Sequence, residues 1–176
     1  WEVMTVEDVS DSISITHSFD KDNLIFLNTG DIKSGKILHH NYTSIRNFPG
    51  QAKKSVKKND ILFTEIRPKN ERYAFVDFDA DDYVVSTKLM VIRAKNSIFP
   101  RYLYQFLTSG DILDYLQLIA ETRSGTFPQI TFDEVKLLKI PIPHIEEQIR
   151  IVDVSLNLEN KIQNLQNHNK ILEQTV

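Results

Sequence analysis

Short apolar runs separated by turn residues fill the first half of the chain and predict strands. The clearest runs are residues 24–27, 61–63, 73–76 and 83–92. Polar clusters rich in Asn, Asp, Gly and Lys lie between them, and such clusters are typical of turns. β-branched and aromatic residues, which favour strands, are frequent in the runs. Residues 1–96 are therefore predicted to form mainly short β-strands.

The hydrophobic period changes in the second half, where helices are predicted. Pro100 suits a first helical turn, and apolar residues recur at helical spacing until Gly110. A second helical pattern covers residues 112–120, and Thr131 with Glu134 forms a capping box for a short third helix. Strands followed by helices predict the α+β fold class.

A boundary between a compact domain and a long helix is predicted near two prolines. Pro141 and Pro143 hold the backbone extended at the end of an apolar strand. Two glutamates follow in the first turn of a long helical pattern, where acidic side chains complement the helix dipole. We predict a domain over residues 1–143 and a long helix over residues 144–176.

The helical pattern after the boundary predicts a coiled coil. Its alternating a and d positions are Gln148, Ile151, Ser155, Leu158, Ile162, Leu165, Asn169, Leu172 and Val176. Most are apolar, and a single Asn at an a position is a known device for fixing register. A helix over residues 145–176 would span about 48 Å, which favours a partner helix over the alternative of a helix folded back on its own domain. The predicted helix interface consists of Ile151, Leu158, Ile162, Leu165, Asn169 and Leu172.

Composition bounds the class of protein. The 176 residues include 41 % apolar and 26 % charged residues, which suits a globular domain. No cysteine is present, so disulfides, thiol nucleophiles and cysteine-ligated zinc are excluded. The absence of a long apolar run and of a leader predicts no membrane contact and a cytoplasmic location. Trp1 in place of Met indicates a fragment or a trimmed chain.

The net charge of −3 argues against a general nucleic-acid binder, but the charges are unevenly placed. From Arg46 to Arg72 there are eight basic residues against three acidic ones, and residues 77–82 then hold four acids and no base. One interpretation is a solvated lysine-rich loop beside an acidic turn. The other is a surface on one face that binds phosphates.

No motif indicates catalysis. Residues 30–36 have the spacing of a phosphate-binding loop, but Ile37 stands where a magnesium-binding hydroxyl is required, so a hairpin turn is predicted. The aspartates of 77–82 lack the spacing of a calcium loop, and the five histidines lack ligand spacing. A small hydrolase remains an alternative only if distant side chains converge in space.

The order of several short motifs resembles a DNA specificity subunit of type I restriction–modification systems. Asn59-Asp60-Ile61-Leu62 resembles a strand motif of that family, with Asn59 where glycine is common. Ile140-Pro141-Ile142-Pro143 followed by Glu146-Glu147-Gln148 resembles its proline hinge and helix start. Further matching segments are residues 1–9, 26–37 and 124–130. Together, in this order and spacing, these matches are specific.

The resemblance implies a mixed α/β target-recognition domain followed by a long C-terminal coiled-coil helix. In the family, two such units place their helices antiparallel, and each domain recognises one half of a split site in double-stranded DNA. Methyltransferase subunits dock on the specificity subunit and use S-adenosylmethionine, and a motor–nuclease subunit can join. The specificity subunit itself has no catalytic role, cofactor or metal. A chain with one unit is then half of a tandem subunit, or a half-length subunit that forms a homodimer.

The DNA contacts are predicted from side-chain chemistry, because phosphate contacts position a protein and base contacts specify the sequence. The predicted phosphate contacts are Lys53, Lys54, Lys57 and Lys58. The predicted base contacts are Arg67, Lys69, Asn70, Arg72, Arg123, Thr126 and Gln129. A solvated turn is the alternative for Lys57 and Lys58, and a structural ion pair is the alternative for Arg67. The alternative function is a regulatory half-subunit that binds proteins through its helix without recognising DNA.

Overall fold

The computed structural model describes residues 1–122 and 128–174, with side chains up to Ile171. The strands are β1 (Glu2–Thr5), β2 (Ser10–Ile13), β3 (Asn23–Leu27), β4 (Ile32–Lys33), β5 (Lys36–Ile37), β6 (Thr43–Ser44), β7 (Ala52–Ser55), β8 (Asp60–Thr64), β9 (Tyr73–Phe75), β10 (Tyr83–Ser86), β11 (Leu89–Ala94) and β12 (Lys139–Ile142). The helices are α1 (Val6–Val9), α2 (Pro100–Leu107), α3 (Gly110–Thr122), α4 (Phe132–Val135) and α5 (Ile145–Gln174).

Two four-stranded sheets form the centre of the described part of the chain. The central sheet has the strand order β2-β11-β8-β9, and the outer sheet has the order β6-β3-β10-β7. Smaller two-stranded ladders join β1 to β12 and β4 to β5. The β1–β12 ladder is antiparallel and pairs Val3 with Pro141, so the first strand lies beside the proline segment that precedes α5.

The central sheet is buried on both faces because side chains alternate along its strands. On β8, Ile61 and Phe63 pack in one cluster with α2 and α3. Leu62, between them, packs in a second cluster with Leu27 and Val85 of the outer sheet. The described part of the domain therefore has three layers, which are helices, central sheet and outer sheet.

The segment over residues 30–36 is a hairpin, as predicted. β4 and β5 pair antiparallel across Ser34 and Gly35, which both have positive φ angles of 47° and 82°. Two successive positive φ angles are the geometry of a type I′ hairpin turn. A Cβ atom at position 35 would lie 2.7 Å from the Tyr104 hydroxyl oxygen, so a larger residue there would also have to displace the Tyr104 side chain.

The apolar run over residues 83–92 forms two strands that belong to different sheets. β10 ends at Ser86 in the outer sheet, and β11 starts at Leu89 in the central sheet. The turn between them is closed by the Lys88 backbone N–H, which donates to the Ser86 hydroxyl oxygen over 3.2 Å. Hydrophobicity alone did not show this break, because residues on both sides of the turn are buried. The turn leaves the Lys88 side chain exposed.

The start of β8 is fixed by a buried ion pair. Asn59 has a φ of 72°, a left-handed conformation that asparagine and glycine tolerate. The fully buried Asp60 carboxylate accepts hydrogen bonds from Arg93 Nε at 2.7 Å and Nη2 at 2.8 Å. It also accepts one from the Lys57 backbone N–H at 2.7 Å. The hydrogen bonds to the carboxylate raise the pKa of Arg93.

Helix α5 is joined to the domain by the buried side chain of Gln148. Its Oε1 accepts a hydrogen bond from the Phe99 backbone N–H at 2.8 Å, and its Nε2 donates to the Pro143 carbonyl at 2.9 Å. One side chain therefore links the start of α2, the proline segment and the first turn of α5. The Gln of the motif at the helix start is thus a structural joint.

The first three turns of α5 pack on the domain, and the remainder extends away from it. Val152 is buried, and Ile151 and Leu156 are half-buried against the main core. From residue 157 to residue 171 every side chain is exposed. Ile151 was predicted to contact a partner helix, but it packs on its own domain, because the start of the heptad register coincides with the face that covers the core.

We expect Gln148→Ala to lower the free energy of unfolding by about 1–3 kcal/mol, because it leaves the Phe99 N–H and the Pro143 carbonyl without their partner. Urea denaturation followed by circular dichroism measures the change. Gln163→Ala, on the exposed part of the same helix, is the matched control and should change the free energy by less than about 0.5 kcal/mol. Equal effects of the two variants would contradict the role of Gln148 as a joint.

Candidate nucleic-acid interface

Several loops meet at one end of the two sheets. The Thr87 backbone N–H donates to the Gln51 carbonyl at 2.9 Å, and the Glu65 N–H donates to the Lys88 carbonyl at 3.4 Å. These bonds bring together the start of β7, the β10–β11 turn and the end of β8. We call this end the basic end. Its exposed polar side chains include Lys53, Arg67, Lys69, Asn70 and Lys88.

Most of these side chains are available for a ligand. The side chains of Lys53, Arg67, Asn70 and Lys88 make no hydrogen bond or ion pair with any other described residue. Lys69 differs, because its Nζ lies 3.0 Å from Asp114 Oδ1. Both partners of that pair are more than half exposed, so the pair contributes little energy and can open. The alternative for Arg67 was a structural ion pair, but no acidic partner of Arg67 lies in the described part of the chain.

Lys54 was predicted to contact phosphates, but it is engaged within the protein. Its Nζ donates to the Leu89 carbonyl at 2.8 Å, and partial burial lowers the pKa of its ammonium group. Successive residues of a strand point to opposite faces, so the neighbour Lys53 is exposed while Lys54 points inward. Had the segment been predicted as a strand, this alternation would have indicated that only one of the two lysines is exposed.

Two predicted base contacts also have internal partners. The half-buried Arg72 donates from Nη1 to the carbonyls of Gly30 at 2.9 Å and Ile32 at 3.3 Å. It therefore links the segment after β3 to the start of β9, and these internal bonds weigh against the prediction that it contacts bases. Gln129 is half-buried and donates from Nε2 to Glu65 Oε2 at 3.3 Å, so its amide holds the end of β8 instead.

Lys57 and Lys58 lie at the other end of β8. The five residues of that strand separate them from the basic end by about 16 Å. Both are exposed, and Lys57 lines a surface cleft together with Asp20 and Asp81. The basic segment of the sequence therefore does not form one surface, and the surroundings of Lys57 carry mixed charge. This placement favours the solvated-turn alternative for Lys57.

Three predicted residues lie partly or wholly outside the described residues: Arg123, Thr126 and the side chain of Leu172. Lys88 was not among the predicted DNA contacts, although the polar pair Thr87-Lys88 inside a long apolar run was a signal for an exposed turn.

The exposed part of α5 presents a second surface. Leu158, Ile162 and Leu165 are 54 %, 55 % and 64 % exposed, and Asn169 is exposed one turn further along. Their spacing of three or four residues places them on one side of the helix. We call these four residues the outer stripe. An apolar stripe of this kind on an extended helix is suited to another helix.

Other kinds of site are not found in the part of the chain that the structure describes. No group of three or more His, Asp or Glu side chains there could hold a metal ion. No helix among the described residues is both long and apolar enough to cross a membrane.

Comparison with known proteins identifies the family. The sequence-family model of the type I restriction modification DNA specificity domain matches residues 1–174 of this chain. The chain belongs to this family. The type I restriction enzyme HindI specificity subunit of Haemophilus influenzae is 47 % identical over 176 residues, which are 99 % of this chain and 38 % of that protein. The MjaIX specificity subunit of Methanocaldococcus jannaschii is 28 % identical over 130 residues, which are 74 % of this chain and 27 % of that protein.

A solved structure agrees with the fold of this specificity domain. The crystal structure of the HsdS subunit from Thermoanaerobacter tengcongensis matches with a TM-score of 0.79 and 27 % identity, over 94 % of this chain and 43 % of that one. The predicted α+β domain with a long C-terminal helix is thereby confirmed. The chain spans less than half the length of the curated relatives that it matches.

Proposed function

We propose that this specificity domain is a non-catalytic DNA-recognition module that recognises one half of a bipartite site in double-stranded DNA. The observation that carries the proposal is the basic end, where exposed cationic and amide side chains lie on loops at the end of the two four-stranded sheets, most of them without a partner among the described residues. Membership of the specificity family and the names of the relatives support it.

The side chains of the basic end divide into two chemical roles. Lys53 and Lys88 are single cations on flexible stems, which suit phosphate oxygens and set the position on the duplex. Arg67 and Asn70 carry planar groups that can form two hydrogen bonds with a base edge in the major groove. Recognition then needs no covalent chemistry on this chain.

The outer stripe supplies the second half of the proposal. Leu158, Ile162 and Leu165 would pack against an equivalent helix in antiparallel orientation, either of a second copy or of a tandem unit in a longer chain. The length of the paired helices would set the distance between two recognised half-sites. A methyltransferase subunit that carries S-adenosylmethionine would dock on this assembly, and a motor–nuclease subunit can join it.

The test is retention of labelled DNA duplexes by the purified chain, with and without the methyltransferase subunit, at several salt concentrations. The proposal predicts retention that weakens steeply with salt and prefers one sequence. Binding of the methyltransferase without any retention of DNA by the assembly would contradict it and support the regulatory half-subunit.

Lys53 and Lys54 provide a matched pair of variants. We expect Lys53→Ala to weaken binding to all duplexes alike and to lower the salt slope by about 1, because one phosphate contact is lost. Lys54→Ala removes the same charge one residue away, and it should leave the slope unchanged while lowering the free energy of unfolding by about 1 kcal/mol. Fluorescence anisotropy across a salt series measures the slopes. Equal slopes in wild type and Lys53→Ala would remove Lys53 from the interface.

A further inference from the structure

The backbone at Arg67 has an unusual conformation. Its φ is 47° and its ψ is 75°, in the left-handed region that residues with a side chain rarely adopt. Glu71, at the other end of the same short 3-10 turn, has a φ of 54°. Such conformations persist only where the surrounding contacts impose them, and they concentrate at functional sites.

The contacts that impose this conformation come from three other parts of the chain. The Arg67 N–H donates to the Pro128 carbonyl at 3.1 Å, and Pro68 is buried directly after it. The remaining bonds run from Lys69 N to Gln117 Oε1 at 3.3 Å, from Lys33 Nζ to the Asn70 carbonyl at 2.8 Å, and from Ser34 N to the Glu71 carbonyl at 2.7 Å. The backbone that carries Arg67 is therefore fixed on both sides.

The guanidinium group of Arg67 contrasts with the charged groups around it. Arg72 is tied to three carbonyl oxygens, and Lys69 is paired with Asp114. Arg67 is exposed and makes no hydrogen bond or ion pair with the described residues. A strained, firmly held backbone thus presents a guanidinium that has no partner among the described residues.

We propose that Arg67 determines sequence specificity by donating two hydrogen bonds to O6 and N7 of a guanine in the major groove. The half-site would then contain a G·C pair at that position. This inference rests on the proposed function. A phosphate needs only a nearby cation, which Lys53 and Lys88 supply from flexible stems. A two-point contact with a base edge instead requires a fixed origin and a planar fork, which the structure provides at Arg67.

The test is selection of bound duplexes from a randomised library by the chain together with its methyltransferase subunit, followed by sequencing. Wild type should enrich a motif that contains a guanine at one constant position. Arg67→Gln should lose the preference at that position by about tenfold or more and keep the rest of the motif. Lys53→Gln, which removes the same charge from the same end, should keep every position and weaken all sequences equally.

The outcomes separate the inference from the proposed function. No motif with wild type would overturn the proposed function. A motif unchanged in Arg67→Gln would overturn only the role of Arg67. A uniform loss of affinity in Arg67→Gln, like that expected for Lys53→Gln, would also overturn that role, because a uniform loss indicates a phosphate contact. Since the Arg67 side chain has no partner among the described residues, the variant should unfold at the same temperature as wild type. An unchanged unfolding temperature would show that any change in the motif arises at the interface.

Discussion

Replacing Arg93 with alanine is expected to lower the free energy of unfolding by about 3 kcal/mol. The substitution leaves the Asp60 carboxylate, which is fully buried, with only the Lys57 backbone N–H as a partner. An uncompensated buried charge is among the most destabilising changes that a single substitution can make. Because domains are stable by only about 5–15 kcal/mol, this loss is a large fraction of the total.

Urea denaturation followed by circular dichroism measures this effect. Two further variants test whether the effect arises from the unpaired charge of Asp60. Lys136→Ala breaks an exposed ion pair with Asp133 and should leave the unfolding midpoint nearly unchanged. Leucine at both position 60 and position 93 should recover much of the loss, because no unpaired charge is then buried. A small effect of Arg93→Ala would mean that water reaches Asp60, and the buried pair would not be what holds β8 to β11.

Replacing both Ile162 and Leu165 with glutamate is expected to abolish pairing of the long helix. Burial of one such side chain is worth about 1.5–3 kcal/mol, and in a two-fold pair each substitution acts on both helices. The dissociation constant should rise by at least about four orders of magnitude. Sedimentation velocity measures the mass of the assembly, and circular dichroism checks that the domain remains folded.

The matched control is Gln163→Glu with Asn167→Glu. It adds the same two negative charges to the same part of α5, at positions outside the outer stripe. The control should remain associated, because a coiled-coil interface tolerates charge away from its seam. A wild-type chain that sediments as a monomer at every concentration would contradict self-pairing. The same variants would then test association with the tandem unit or with the methyltransferase subunit.

Much of the local structure could be predicted because its causes lie within a few residues of the sequence. The capping box at Thr131 is formed as expected, with the Glu134 carboxylate accepting from the Thr131 N–H at 2.7 Å. Pro100 begins α2, and the uninterrupted pattern after Pro143 forms the long helix α5. In each case a cap, a fixed φ angle or a helical period acts over one or two turns.

The roles of the charged side chains could be predicted only in part. Lys53 and Arg67 lie exposed where a ligand can reach them, in agreement with their placement in the predicted interface, although their contact with DNA stays a prediction. Arg72 and Gln129 looked equally suitable in sequence, yet each has an internal partner. Their partners, Gly30 and Glu65, are far from them in the sequence, so local sequence patterns could not predict these contacts.

The sequence by itself determined the α+β class, the long terminal helix and the motifs that indicate the specificity family, because these depend on periodicity and on near neighbours. Only the tertiary structure decided which cations are free. It brought the start of β7, the end of β8 and the β10–β11 turn to one end, and it moved Lys57 and Lys58 to the other. A charge becomes available to a ligand only when folding leaves it without an internal acceptor, and that depends on residues far away in the sequence.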